Sequence, residues 1–167
     1  VCYSCTSASV VIGDAEIQAA IREAKPGVPV VTPPLAAVAG LKALDARRIS
    51  ILTPYTVETS RPMANYFADH GFDIDRFTCL GFDDDRDMAR IPPKALADLA
   101  RTVTSGQSDA LFVSCTALRS ALAIPAIEAA IGRPAVSSNQ ATAWQCLRLT
   151  GDRTQHPEFG RLMTLDP

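Results

Sequence analysis

Two cysteines of this sequence sit in the same tripeptide. Ser4-Cys5-Thr6 recurs as Ser114-Cys115-Thr116, each copy after a strand-like run and before a helical stretch. In parallel α/β sheets such turns lie at the carboxyl ends of the strands, where ligands bind. Helix N-termini there present unpaired N–H groups and a partial positive charge, which suit a carboxylate or a developing enolate. The same field is expected to lower a thiol pKa and make each cysteine a thiolate base. Thr6, Ser7 and Thr116 add hydroxyl donors beside those amides. Two thiols flanking a bound acid can take a proton from beside a carboxylate on one face and return one on the other. Alternatively, one thiolate adds to an activated double bond and leaves after rotation.

The other chemistry-bearing residues read more blandly. Free cysteines are commonly core filler, which is the reading for Cys79, in a strand, and Cys146, beside Leu147 on a helix. Cys2 and Cys5 form a C-x-x-C, but Cys2 lies inside the strand, whereas both cysteines of a thioredoxin-like pair open the helix. No second Cys/His pair has zinc-ligand spacing, so a metal is not expected. Asp83-Asp84-Asp85 reads as a solvated loop before Pro92. Tyr55 follows the strand Ile49–Thr53 and is a candidate to reach the cleft. Arg61 and Arg119 are expected at the surface, His70 at a helix end and His156 in a loop.

The elements that must position these residues alternate strand and helix, the signature of a parallel α/β sheet. Strands are predicted at Val1–Ser4, Val28–Val31, Arg48–Thr53, Asp73–Cys79, Asp109–Ser114 and Pro134–Ser137. Helices are predicted at Asp14–Ala24, Leu35–Asp45, Val57–His70, Pro93–Val103, Ser120–Ile131 and Gln140–Leu149. Asp14 is the expected N-cap of its helix, Gly71 the left-handed stop after His70, and Pro92-Pro93 a first helical turn.

The tripeptide echo extends downstream. Pro29-Val-Val-Thr32 and its helix resemble Pro134-Ala-Val-Ser137 and its helix, with Cys-to-Pro separations of 24 and 19 residues (29 − 5; 134 − 115). The expected fold is therefore two pseudo-symmetric, flavodoxin-like lobes with parallel sheets and an active site in the cleft between them. Residues 1–46 form part of the first lobe, residues 47–138 the second, and the tail 139–167 packs back on the first. The second copy has two βα units before its cysteine strand and the first has none. On that pattern roughly 60 residues, about two βα units, are expected to precede Val1.

Composition narrows the partners. The chain has 167 residues, 47% hydrophobic and 20% charged, with a formal net charge of −2. That mixed charge argues against nucleic acid, which selects a concentrated basic face. No apolar run approaches the roughly 20 residues needed to cross a bilayer. Five scattered cysteines read as free thiols of a reducing compartment, with cytoplasm the expected location.

The residues resemble the aspartate/glutamate racemase superfamily, in the branch of arylmalonate decarboxylases, maleate cis-trans isomerases and ectoine-utilisation proteins. The resemblance is carried by Ser4-Cys-Thr-Ser-Ala-Ser9, Gly40-Leu-Lys-Ala-Leu44, Arg47-Arg-Ile-Ser-Ile-Leu-Thr-Pro-Tyr55 and Met88-Ala-Arg-Ile91. Asp109-Ala-Leu-Phe-Val-Ser-Cys-Thr-Ala-Leu118, Val136-Ser-Ser-Asn-Gln-Ala-Thr142 and Phe159-Gly-Arg-Leu162 complete it. It implies cofactor-free chemistry, catalytic roles for Cys5 and Cys115, and substrate-binding donors at Thr6, Ser7, Tyr55 and Thr116. It also implies a dimer or larger assembly. Arylmalonate decarboxylases carry glycine where this chain has Cys5, and glycine also where it has Thr116. Maleate isomerases lack the Thr-Ser that follows Cys5, and the ectoine-utilisation proteins are nearest in pattern.

The expected function is a two-cysteine isomerase or racemase of a small carboxylate or dicarboxylate. A malonate-type decarboxylase with Cys115 as proton donor is the enzymatic alternative. A carboxylate-binding or regulatory module is the non-enzymatic one.

Overall fold

The computed structural model describes residues 1–166. Its sheet is built from β1 (Arg48–Tyr55), β2 (Asp73–Phe82), β3 (Ala110–Val113) and β4 (Ala135–Ser137), all parallel, in the order β2-β1-β3-β4. All of β3 and seven of the eight residues of β1 are buried, as expected where helices cover both faces of a sheet. The edge strand β2 has no fully buried residue. The connections are α4 (Val57–Asp69), α5 (Asp85–Arg90), α6 (Pro93–Val103) and α7 (Ile124–Ile131), the last entered through a 3₁₀ turn at Ser120–Ala123. Strand order reverses between β1 and β3, which opens a crevice at their carboxyl ends.

The N-terminal part carries α1 (Thr6–Ile12), α2 (Asp14–Ala24) and α3 (Pro33–Ala43). The two predicted strands flanking them reduce to one parallel bridge, Cys2 to Val31. Two short segments without further ladder partners do not extend into a sheet. Their register still repeats that of the second half. Cys2 and Phe112 stand at equal distance before Cys5 and Cys115 (115 − 5 = 112 − 2), and Val31 and Val136 at equal distance after Pro29 and Pro134 (134 − 29 = 136 − 31). Phe112 pairs with Val136 as Cys2 pairs with Val31.

Several boundaries move for local reasons. Gly13, at φ +94°, caps α2 in place of Asp14. The Asp14 carboxylate instead accepts the Thr32 hydroxyl at 2.7 Å and the Tyr66 phenol at 2.6 Å, tying α2 to α4. Helix α3 starts two residues early because Pro33 and Pro34 suit a first turn. It stops short of Asp45, which sits at φ +57°. The helix after β4, α8 (Ser138–Leu149), also starts two residues early, on a capping box between Ser137 and Gln140. The acidic run is not a loop throughout: Asp84 caps α5, its carboxylate accepting the Arg86 N–H at 2.8 Å. His70 ends α4, with Gly71 at φ +89° behind it, and His156 caps the 3₁₀ turn Pro157–Phe159.

Helix α8 leaves the sheet and packs on α3. The tail follows: a Cβ at Gly40 of α3 would lie 2.9 Å from the Leu162 side chain. A Cβ at Gly160 would lie 2.5 Å from Ile124, and its φ of +99° favours glycine independently. Arg148, buried on α8, holds this tail by donating to the carbonyls of Leu165 at 3.0 Å, Asp152 at 2.9 Å, Thr154 at 3.4 Å and Met163 at 3.5 Å. Trp144 Nε1 adds a bond to Leu165 at 2.9 Å. Among the described residues no helix is long and apolar enough to cross a membrane.

Arg148→Met keeps the aliphatic stem and deletes these donors. We expect a loss of about 2–4 kcal/mol in unfolding free energy, seen as a lowered urea midpoint with an unchanged slope.

Candidate active site

Three segments meet at the crevice: the end of β1, the turn after β3 and the start of α1. Cys115 follows β3, is 2% exposed, and adopts φ +91°, a conformation that costs a non-glycine residue about 1–3 kcal/mol. Its backbone N–H donates to Ser138 Oγ at 3.1 Å. Its sulfur accepts the Ala117 N–H at 3.3 Å and lies 3.9 Å from the Met88 sulfur on α5. Cys5 is the N-cap of α1, in extended conformation (φ −139°), and its side chain makes no capping bond. Its half-buried thiol is 3.9 Å from the Ser7 hydroxyl.

Tyr55 links the two. It ends β1, is buried, and faces the Cys115 sulfur and the Ser7 hydroxyl while lying in the field of Cys5. Burial first, and the neighbouring sulfurs next, hold its phenol far above the ordinary range, so it stays protonated and donates.

The electrostatics of Cys115 correct the sequence expectation. Burial pushes its thiol up, with a further push from Asp85, against the pull of the Tyr55 hydroxyl and the Leu118 and Ala117 amides. No helix begins at this cysteine; the next helical turn starts at Ser120. Desolvation therefore outweighs the donors, and Cys115 rests as a thiol.

Thr6 is also placed differently from expectation. It is fully buried, and its hydroxyl donates to Ser138 Oγ at 3.0 Å. It thus serves the framework between the two cysteine motifs in this arrangement. Thr116, half-buried, donates its hydroxyl to the Ser4 carbonyl at 3.3 Å, a second tie between the motifs. Ser138 and Asn139, at the start of α8, were not singled out from sequence. Their available signal was the Ser137 cap, which fixes the helix start beside Cys115.

The remaining candidates lie elsewhere. Cys79 is half-buried on the edge strand, and Cys2 lies beside Cys146 rather than beside Cys5, with burial the first cause of its raised pKa and Cys146 the second. Arg61 and Arg119 are exposed. Among the described residues no cluster of three or more His, Cys, Asp or Glu side chains has metal-binding geometry. A hollow lined by Arg101, Ser105 and Arg133 lies at the opposite end of the strands. The Arg133 guanidinium there is already occupied by the Ser105, Ser108 and Gly106 carbonyls, and Arg101 Nε by the Ala130 carbonyl.

The family model for arylmalonate decarboxylase matches residues 5–163, which include both cysteines, Tyr55 and the tail. The chain belongs to this family. A curated relative, arylmalonate decarboxylase of Bordetella bronchiseptica, is 33% identical over 152 residues, covering 89% of this chain and 63% of the relative. Maleate isomerase of Nocardia farcinica is 32% identical over 134 residues, covering 78% and 53%. The chain thus spans between half and two thirds of the length of these relatives. Among solved structures, it is similar to a mutant maleate cis-trans isomerase of Nocardia farcinica holding a covalently bound succinylcysteine intermediate. The TM-score is 0.91 at 27% identity, covering 99% of this chain and 71% of that one. A liganded arylmalonate decarboxylase mutant with one cysteine introduced and another removed gives 0.87 at 33% identity, covering 96% and 72%. Family members are thus named for both an isomerisation and a decarboxylation, and the mixed α/β fold is shared by the two structures.

Because φ +91° penalises any side chain, Cys115→Gly is expected to be more stable than Cys115→Ala by about 1 kcal/mol. Parallel thermal unfolding of the two variants measures the difference. Equal stabilities would show that the backbone relaxes once the sulfur is gone.

Proposed function

We propose that this chain carries the site of a cofactor-independent, two-cysteine isomerase or racemase acting on a small carboxylate or dicarboxylate. The observation that carries the reading is the set of bonds joining the two cysteine motifs: Thr6 to Ser138 at 3.0 Å, the Cys115 N–H to the same oxygen at 3.1 Å, and Thr116 to the Ser4 carbonyl at 3.3 Å. Cys115 and Cys5 are the proposed catalytic residues. Ser7, Tyr55 and Thr116 are the proposed substrate donors, and Thr6 joins them if its hydroxyl turns from Ser138 on binding.

The two thiols suit different tasks. A buried, protonated Cys115 is a proton donor. Cys5, more open and capping α1, is the base or nucleophile. In a racemisation, the Cys5 thiolate takes the proton beside the carboxylate and Cys115 delivers its proton to the opposite face. The Cys115 sulfur is then the thiolate, and the reverse step restores it. In a cis-trans isomerisation, Cys5 sulfur bonds to one alkene carbon while Cys115 protonates the other. Rotation about the resulting single bond follows. Cys115 then takes the proton back as the C–S bond breaks. The covalent succinylcysteine of the Nocardia protein supports the addition route.

A decarboxylase is the second reading, supported by the family match and the Bordetella relative. There Cys115 protonates the enediolate left by loss of CO2, and Cys5 is dispensable. The partner in either case is a small acid. A reducing, cytoplasmic setting is proposed from the five free thiols, and a homo-oligomer from the resemblance to the superfamily.

NMR in D2O with maleate, aspartate, glutamate, a 2-arylpropionate and an arylmalonate tests this. Deuterium beside a carboxylate, or fumarate from maleate, is expected, reduced about 10²–10⁴-fold in both Cys5→Ala and Cys115→Ala. CO2 release that survives Cys5→Ala would replace this reading with the decarboxylase. Binding without turnover would sink both.

The donor form of Cys115 is the protonated one, and its pKa lies above the ordinary value. Activity that draws on this proton is therefore retained below that raised pKa and lost as pH rises through it. The alkaline limb of kcat/KM is therefore expected above the range of an ordinary thiol.

A further inference from the structure

The loop bearing Cys115 is gripped from its outer side. Asn139 Nδ2 donates to the carbonyls of Thr116 and Leu118, each at 3.1 Å. A peptide's C=O and N–H point in opposite directions, because the unit is planar and trans. The carbonyl of Thr116 and the N–H of Ala117 belong to one such unit. Pinning the first against Asn139 therefore aims the second away from α8, and it reaches the Cys115 sulfur at 3.3 Å. The Leu118 carbonyl, held by the same amide group, fixes the far end of the turn, whose N–H at Leu118 also faces the sulfur. The Ser138 hydroxyl fixes the near end through the Cys115 N–H at 3.1 Å.

We propose that Asn139 is a positioning residue for Cys115, aiming the Ala117 and Leu118 N–H groups at the sulfur and so favouring its thiolate. This rests on the reading of Cys115 as a reacting thiol. A buried thiol that gives up its proton must be stabilised as an anion until a proton returns, and backbone donors preset toward the sulfur supply that without reorganisation. Besides these amides, the groups facing the sulfur are the Tyr55 hydroxyl from β1, the Met88 sulfur at 3.9 Å from α5, and the more distant Asp85 carboxylate. None of them touches Asn139 through a hydrogen bond, so substituting Asn139 isolates the amides.

The test is a pH titration of the protein labelled at cysteine 13Cβ, with the Cys115 resonance assigned by its loss in Cys115→Ala. Asn139→Ala and Asn139→Leu both delete the N–H donors, and the second keeps the side chain's approximate shape without adding a charge. Each is expected to raise the Cys115 midpoint by about one pH unit, with Cys79 and Cys146 unmoved. Folded variants whose Cys115 midpoint stays within about 0.2 unit of the parent would overturn the proposal. Failure of both variants to fold would overturn it too, making Asn139 a residue of the fold. A raised midpoint in a protein that turns over no carboxylate would uphold the positioning role while removing the proposed reaction.

Discussion

The two cysteine motifs are joined at the Ser138 hydroxyl, which accepts the Thr6 hydroxyl at 3.0 Å and the Cys115 N–H at 3.1 Å. The residue is fully buried, so neither donor has water to fall back on, and leaving one unpaired costs about 1–3 kcal/mol. Thr6 is 132 residues from Ser138 in sequence and directly follows Cys5. One oxygen thereby fixes the residue after the first cysteine and the backbone of the second. The bond from Thr116 to the Ser4 carbonyl braces the same junction, and the bond from Tyr66 to Asp14 ties α4 to α2.

That junction explains how chemically similar residues come to differ. Cys115 lies beneath α5, against Met88, where exclusion of water disfavours charge on sulfur. Cys5 is half-buried at the head of a helix. The doubly wound strand order puts the ends of β1 and β3 side by side, which is why Tyr55, from a strand sixty residues before Cys115 (115 − 55), reaches its sulfur. The proton states of Cys115 and Tyr55 follow from their burial in this crevice and not from their residue type.

Sequence patterns reveal the elements that carry their own signals. Helices Asp14–Ala24 and Pro93–Val103 occur at the predicted residues, one bounded by a periodic apolar stripe and the other by a proline pair. The positions of Cys5, Cys115 and Tyr55 near one another follow a pattern visible in the sequence, a cysteine or tyrosine just after a strand-like run, and Ser7 lies in the first turn of the helix that Cys5 caps. What escaped was set by tertiary partners. Asp14 looks like a cap until the Thr32 and Tyr66 hydroxyls claim its carboxylate. Thr6 reads from sequence as a substrate donor, and its bond to Ser138 is a partner that no local pattern announces. Helix α5 was hidden inside an acidic run whose capping role depends on a local bond from Arg86. The raised Cys115 pKa could not be read from a motif, since burial, its largest cause, is a property of the whole fold.

The backbone at Cys5 has an evolutionary implication. An N-cap in extended conformation, whose side chain gives nothing to its helix, accepts glycine or a small polar residue with little penalty. Descent can therefore add or remove a thiol on that side of the crevice in a single step, without rebuilding the scaffold. The framework bonds run through Thr6, Ser138 and Thr116 and do not use the Cys5 side chain. One-thiol and two-thiol chemistries are then neighbours in sequence space, separated by a residue the fold does not require.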